Sequence, residues 1–162
     1  MKINIIDDNH MVIYIKGSSN NIDFSNEINL EKTFEKLFKN LKNYYNFILK
    51  GFYNINIYRD KFYGSILEIN KEDIPYYDYL DNHIDMQFNL NKNINFLFQV
   101  DDYYFLTKEL KNKIIVYLYK DKIYIQIREN IDSILIGKLM EFGKIIYKDI
   151  DFIINHSKIV DL

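Results

Sequence analysis

Apolar positions along the chain switch between two spacings, alternation and three- or four-residue steps, and the switch recurs. Lys2–Ile6 and Met11–Lys16 are short β-branched runs broken at Asp7-Asp8-Asn9, which predicts a hairpin with an Asx-type turn. After the loop Gly17–Asn21, the residues Leu30, Phe34, Leu37, Phe38, Leu41, Tyr44 and Tyr45 form one stripe at helical spacing. Glu31, Lys32, Glu35, Lys36 and Lys39 lie opposite, Glu35 and Lys39 at the supportive i,i+4 spacing, and Asn26 or Asn29 can cap the start. Tyr53, Ile55 and Ile57 then alternate with Asn54 and Asn56, a strand with one wet face. Arg59-Asp60-Lys61 turns the chain into a second strand, Phe62–Ile69.

The second half repeats the theme. Phe96–Val100 reads as a strand, and Asp101 or Asp102 caps a short helix over Tyr104, Phe105, Leu106 and Leu110. A hairpin of Ile114–Tyr119 and Ile123–Arg128 follows. Asn130 or Asp132 opens a helix with Ile131, Ile134, Leu135, Leu139, Phe142 and Ile146 along one side. Gly137 costs about 1 kcal/mol inside that helix, which predicts a close packing contact, and Gly143 is where the helix ends. The tail, Ile150–Leu162, predicts a final strand preceded by a turn. Tyr58-Arg59-Asp60-Lys61-Phe62-Tyr63 lines up with Tyr119-Lys120-Asp121-Lys122-Ile123-Tyr124, so the two hairpins look like copies. The expected fold is α+β: two related small α/β-sandwich halves, each an antiparallel sheet with one or two helices packed on one face. The boundaries are 1–73, a linker at 74–93 and 94–162. The least regular region, 70–93, holds the single Pro75, the acidic-aromatic run Tyr76-Tyr77-Asp78-Tyr79-Leu80-Asp81 and a short strand near Met86–Leu90.

Composition narrows the function. Of 162 residues 48% are hydrophobic, too apolar for disorder. Lys and Arg number 21 against 23 Asp and Glu, interleaved, a balance that gives no support for a basic nucleic-acid face. Absence of Cys removes disulfides, thiolate metal sites and Cys nucleophiles, and suits a cytoplasmic protein. No apolar run approaches the roughly 20 residues of a membrane span, and the N-terminus has no signal-peptide pattern.

Catalytic signatures are missing as well. The five Gly are scattered, with no phosphate loop and no nucleophile elbow. His10, His83 and His156 have no His or carboxylate at helical metal spacing and read as single surface histidines. Asp101-Asp102 is a carboxylate pair, but adjacent residues diverge, and a helix cap accounts for it. Tyr53, Tyr58, Tyr63, Tyr117, Tyr119 and Tyr124 suit either packing under helices or stacking single-stranded RNA, although the basic Gly-containing RNA motif is absent. A non-enzymatic binding protein without cofactors or metals is the expectation, with an RNA-binding module using the tyrosine-rich sheet as the alternative.

A set of motifs in order resembles the MecA adaptors, which deliver substrates to the ClpC-type AAA+ unfoldase. Phe96–Tyr103 is similar to that family's strand running into an acidic-aromatic turn, and Tyr117–Ile125 to its tyrosine-rich hairpin. Leu139-Met140-Glu141-Phe142-Gly143-Lys144 resembles a helix ending in an acidic-aromatic-Gly pattern, and Asn155–Val160 a late Glu-His-Gly-Lys-Val-Ile segment. The initial strand pair, the helix Leu30–Phe47 and the hairpin Phe52–Ile69 resemble the family's substrate-binding domain. The linker is shorter than is usual there, and Ser157 stands where Gly is preferred. The resemblance implies a client-binding N-terminal half and a C-terminal half that docks on a Clp-type ATPase, for regulated proteolysis. It implies a docking surface of Asp101, Asp102, Tyr103, Glu141, Phe142, Lys144, His156 and Lys158.

Overall fold

The computed structural model describes residues 2–17, 26–45, 50–60, 62–80, 83–102, 112–129 and 131–161. The chain is α+β and divides into two compact units: residues 1–59 with 64–92, and residues 60–63 with 93–162.

The first unit holds strands β1 (Lys2–Asp7) and β2 (His10–Lys16), helix α1 (Glu27–Tyr45), strands β3 (Gly51–Asp60) and β4 (Gly64–Glu72), and strand β5 (Ile84–Ile94), which runs into the second unit. Sheet order is β1-β2-β4-β3-β5, with β1–β2 and β2–β4 antiparallel. The local signals act as the sequence reading expects. Asp7 Oδ1 accepts the Asn9 amide at 2.8 Å in the first turn. Asn26 Oδ1 accepts the Ile28 amide at 2.9 Å and is the cap of α1. Its stripe, Leu30, Phe34, Phe38 and Leu41, is buried against Met11, Ile13, Ile15, Tyr53, Ile55, Ile57, Leu67 and Ile69. Each such side chain contributes about 1.5–3 kcal/mol of transfer free energy. Phe38 meets Tyr53 at 4.9 Å between centroids, and Phe34 meets Phe88 of β5 at 5.1 Å.

The stretch 70–93 differs from the sequence expectation. It carries the end of β4, a 3-10 turn at Pro75–Tyr79, and the first ten residues of β5, where only a short strand near 86–90 was expected. Ile84, Met86, Phe88 and Leu90 pack on the α1 core, so one face of β5 completes the sheet. Hydrophobic burial overrides the poor strand propensity of the intervening Asn residues.

The second unit contains β6 (Leu97–Val100), β7 (Ile114–Tyr119), β8 (Lys122–Ile127), α2 (Ser133–Phe142), β9 (Gly143–Ile146), α3 (Ile150–His156) and β10 (Lys158–Val160). Its order is β10-β7-β8-β6-β9, every neighbouring pair antiparallel. The helix expected from Asp101 or Asp102 over Tyr104–Leu110 lies outside the described residues. On one face Leu97, Tyr117 and Tyr124 pack with Ile150, Ile153 and Ile154 of α3. On the other, Phe98, Val100, Val116, Ile125 and Ile127 are also buried, and Tyr63 lies edge-on to Phe98 at 4.8 Å. This sheet is therefore buried on both faces, not only on one.

Three expectations for the end of the chain are corrected. The second helix stops at Phe142, and Ile146 belongs to β9, paired with Leu97. Gly137 is exposed and a Cβ there would meet nothing within 4 Å, so it marks no close contact. The close contact is at Gly143, whose Cβ would lie 2.6 Å from the Leu139 carbonyl and 3.0 Å from Val100 Cγ1. Before the final strand stands helix α3, not a turn. The spacing of Ile150, Ile153 and Ile154 is its signal.

Candidate functional site

The registers of the second sheet place the expected docking residues. Lys158 pairs with Leu118, Leu118 with Ile123, Ile123 with Val100, and Val100 with Gly143. These five residues form one row across the sheet, roughly 19 Å from edge to edge at the usual strand spacing. Asp101 and Asp102 leave the row just beyond Val100, Glu141 and Phe142 enter it just before Gly143, and Lys144 pairs with Gln99. His156 ends α3 two residues before Lys158. The row thus gathers seven of the eight residues at one end of the sheet, in two groups at opposite edges. All seven are exposed. Tyr103 lies outside the described residues.

The chemistry differs between the groups. Around Val100 and Gly143, Asp101, Asp102 and Glu141 are acidic, with the Phe142 ring 58% exposed among them. At the β10 edge the environment is aromatic and basic. Phe152 and His156 lie 4.2 Å apart, Tyr119 stands 6.2 Å from Phe152 and 6.4 Å from His156, and Lys120 Nζ lies 5.2 Å over the Tyr119 ring. His156 Nδ1 is 2.8 Å from the Phe152 carbonyl, which holds the imidazole against the helix end. Phe152 escaped the sequence reading because α3 was not foreseen there, whereas Tyr119 entered it as one of the sheet tyrosines and Lys120 only as part of the hairpin turn.

The first unit carries a polar sheet face. Asn89 Nδ2 donates to Asn54 Oδ1 at 2.8 Å and Asn56 Oδ1 at 3.1 Å. Beside them the buried Glu68 receives the Tyr58 hydroxyl at 3.3 Å and Asn56 Nδ2 at 3.5 Å, with His10 Nε2 at 3.5 Å. Buried carboxylates require such company. Among the described residues no group of three His, Cys, Asp or Glu could hold a metal ion.

At Pro75–Tyr79 the proline opens a 3-10 turn that projects two tyrosines, Tyr76 and Tyr79. Between them Tyr77 is tied down: its hydroxyl donates to Asp85 Oδ2, its ring stacks on His83 at 6.2 Å, and His83 Nε2 lies 3.3 Å from Asp85 Oδ1. The hydrogen bond to Asp85 pushes the Tyr77 phenol up to about 12. A raised phenol favours the native state below the ordinary tyrosine pKa, and that contribution is lost as pH rises through about 12. Burial raises Tyr53 to about 12 as well. In an alkaline titration followed by phenolate absorbance, Tyr77→Phe should remove one phenol from the latest step, and Asp85→Asn should move it down towards the ordinary range.

Tyr53, Tyr117 and Tyr124 are buried in the sheets and Tyr63 in the turn before β4, where their rings pack within the core. Among the described residues no helix is long and apolar enough to cross a membrane. Comparison with protein-family models, curated proteins and solved structures finds no significant match.

Proposed function

We propose that the protein is a non-enzymatic adaptor of the MecA kind, working in the cytoplasm. In this reading the first unit, with β5 as part of its sheet, engages a client, and residues 94–162 dock the client on a Clp-type AAA+ unfoldase. The observation that carries it is the single row Lys158–Leu118–Ile123–Val100–Gly143, which gathers exposed docking candidates distant in sequence. Surfaces with an exposed aromatic anchor and charged neighbours suit protein recognition better than chemistry.

The two halves are proposed to be related. Support comes from the central strands: β2-β4-β3 of the first sheet matches β6-β8-β7 of the second, while the edge strands β1 and β9 come from different points of the chain order. In each, the leading strand pairs antiparallel with the second arm of the following hairpin, β2 with β4 and β6 with β8. The amide-lined face at Asn54, Asn56 and Asn89 offers donors and acceptors suited to an extended client segment.

Mixed with a Clp-type ATPase at about micromolar concentration, the protein should co-elute with it and raise its ATP turnover. Phe142→Ser should weaken that complex about tenfold or more, as loss of a central aromatic anchor does. Unchanged turnover with no co-elution would sink the adaptor reading.

A further inference from the structure

We propose that the outer edge of β5 docks a second copy of this chain, the two β5 strands pairing antiparallel about Phe88. The inference stands apart from the adaptor reading and rests on how the sheet edges differ.

β5 ends the first sheet, and among the described residues no strand pairs with its outer side. Such an edge presents a row of N–H and C=O groups that is a template for another strand. The other edges carry features that blunt pairing of this kind. β1 has a register break between Ile5 and Asp7 and charges at Lys2 and Asp7, while β9 and β10 are only four and three residues long. β5 runs for 11 residues, and its stretch Met86–Asn91 contains no charge, Pro or Gly. Its apolar residues Ile84, Met86, Phe88 and Leu90 are only partly buried, whereas Tyr53, Ile55 and Ile57 of neighbouring β3 are at most 1% exposed. The α1 core is therefore open along this edge, and one more strand would close it.

The inner side of β5 shows the pattern that it pairs with. β3 alternates Tyr53, Ile55 and Ile57 with Asn54 and Asn56, and Asn89 Nδ2 donates to both asparagines. β5 carries the same alternation, Met86-Gln87-Phe88-Asn89-Leu90-Asn91, with Gln87, Asn89 and Asn91 exposed. A second β5 is thus both matched in pattern and free at its edge. A twofold axis normal to the sheet keeps the two faces aligned, so apolar positions meet apolar ones. Centred on Phe88, it sets Phe88 against its own copy, Met86 against Leu90, Gln87 against Asn89 and Asp85 against Asn91. A centre at Asn89 would set Met86 against Lys92 instead. No like charges meet in the Phe88 register, and each cross-strand pair adds a small increment. The contact is isologous and smaller than about 800 Å² per copy, hence weak.

Sedimentation velocity on the full chain from about 5 to 500 µM covers the range of such weak contacts. The wild type should associate with rising concentration, and added salt should change this little, since the facing pairs are uncharged. Over the same range amide hydrogen exchange should slow at residues 86–91. Gln87→Lys with Asn89→Lys sets like charges opposite each other twice and should cut association about tenfold. Gln87→Lys with Asn89→Glu loses the same two amides but sets opposite charges together, and should associate at least as well as the wild type. Circular dichroism should be unchanged in both. Association that is equal in the two variants, or exchange protection confined to another surface, would overturn the proposal. So would a wild type that stays monomeric throughout, which would leave the edge to a foreign extended segment. None of these readouts involves a Clp ATPase, so failure here and failure of the adaptor reading are separable.

Discussion

Replacing Asp60 by alanine is expected to destabilise the chain by about 3 kcal/mol or more, seen as a lower urea midpoint in equilibrium unfolding. Asp60 is 4% exposed, and its carboxylate serves three backbone amides: Oδ1 accepts from Phe62 at 2.7 Å and Tyr63 at 3.0 Å, and Oδ2 accepts from Phe96 at 2.7 Å. Alanine leaves all three donors without this acceptor in a dry site, and each orphaned donor costs on the order of 1–3 kcal/mol. Asparagine is no remedy, because its amide would set N–H against N–H on one side. Asp60→Asn is expected to cost about 2 kcal/mol on that account. Burial pushes the Asp60 carboxyl up, while the amides of Phe96, Phe62 and Tyr63 pull it back without cancelling the rise. The native state therefore holds that proton more tightly than the unfolded chain. The stability this adds is full below the ordinary aspartate pKa and is lost as pH rises through the native value. The gap between wild type and Asp60→Ala should accordingly be widest in acid. The aligned Asp121 provides the control: it is exposed in a tight turn with φ 58, and Asp121→Asn should change stability by less than about 0.5 kcal/mol.

Gly64→Ala should be more damaging still, about 4 kcal/mol or beyond, with visible loss of β-sheet signal. Gly64 starts β4 at φ +123, and an added Cβ would stand 2.1 Å from the Ile15 carbonyl and 2.6 Å from the Gly17 amide nitrogen. These are backbone atoms of the paired strand, with Lys16 registered on Gly64. Relief requires parting β2 from β4 at that end. Gly137→Ala is the contrast: the site is helical, exposed and open, so alanine should stabilise by about 1 kcal/mol.

These two positions also show where the apparent sequence repeat ends. Tyr58–Tyr63 and Tyr119–Tyr124 align residue for residue, yet β8 starts at Lys122 directly after a turn with positive φ at Lys120 and Asp121, whereas β4 starts at Gly64. In the first hairpin the aligned aspartate turns inward and takes the Phe96 amide, 36 residues away. Residues 60–63 pack with the second unit, and Tyr63 fills space against Phe96 and Phe98 there. A fragment starting near residue 93 would lack both Asp60 and Tyr63.

The positions of the candidate residues, not their role, follow from the strand registers. The resemblance named Asp101, Asp102, Glu141, Phe142, Lys144, His156 and Lys158, and the strand registers bring these to one end of one sheet. Phe152 was not legible as a surface anchor, since its exposure depends on Ile150, Ile153 and Ile154 turning the other face of α3 to the sheet. The alternation Ile84, Met86, Phe88, Leu90 was a legible strand signal that the surrounding Asn and Asp residues obscured.

By itself the sequence determined the local elements: the turns at Asp7–Asn9 and Lys120–Asp121, the apolar stripe of α1, and a short choice of caps, Asn26 or Asn29 and Asn130 or Asp132, from which the structure uses Asn26 and Asp132. These follow from backbone dihedrals and side-chain periods within a few residues, which any window of the chain contains. Only the tertiary structure decided strand order, the inward turn of Asp60, the strand β5 in place of a linker, and the row that joins Lys158 to Gly143. Each of those depends on burying apolar surface and satisfying amides between residues dozens of positions apart, and no local pattern specifies which distant partner will supply them.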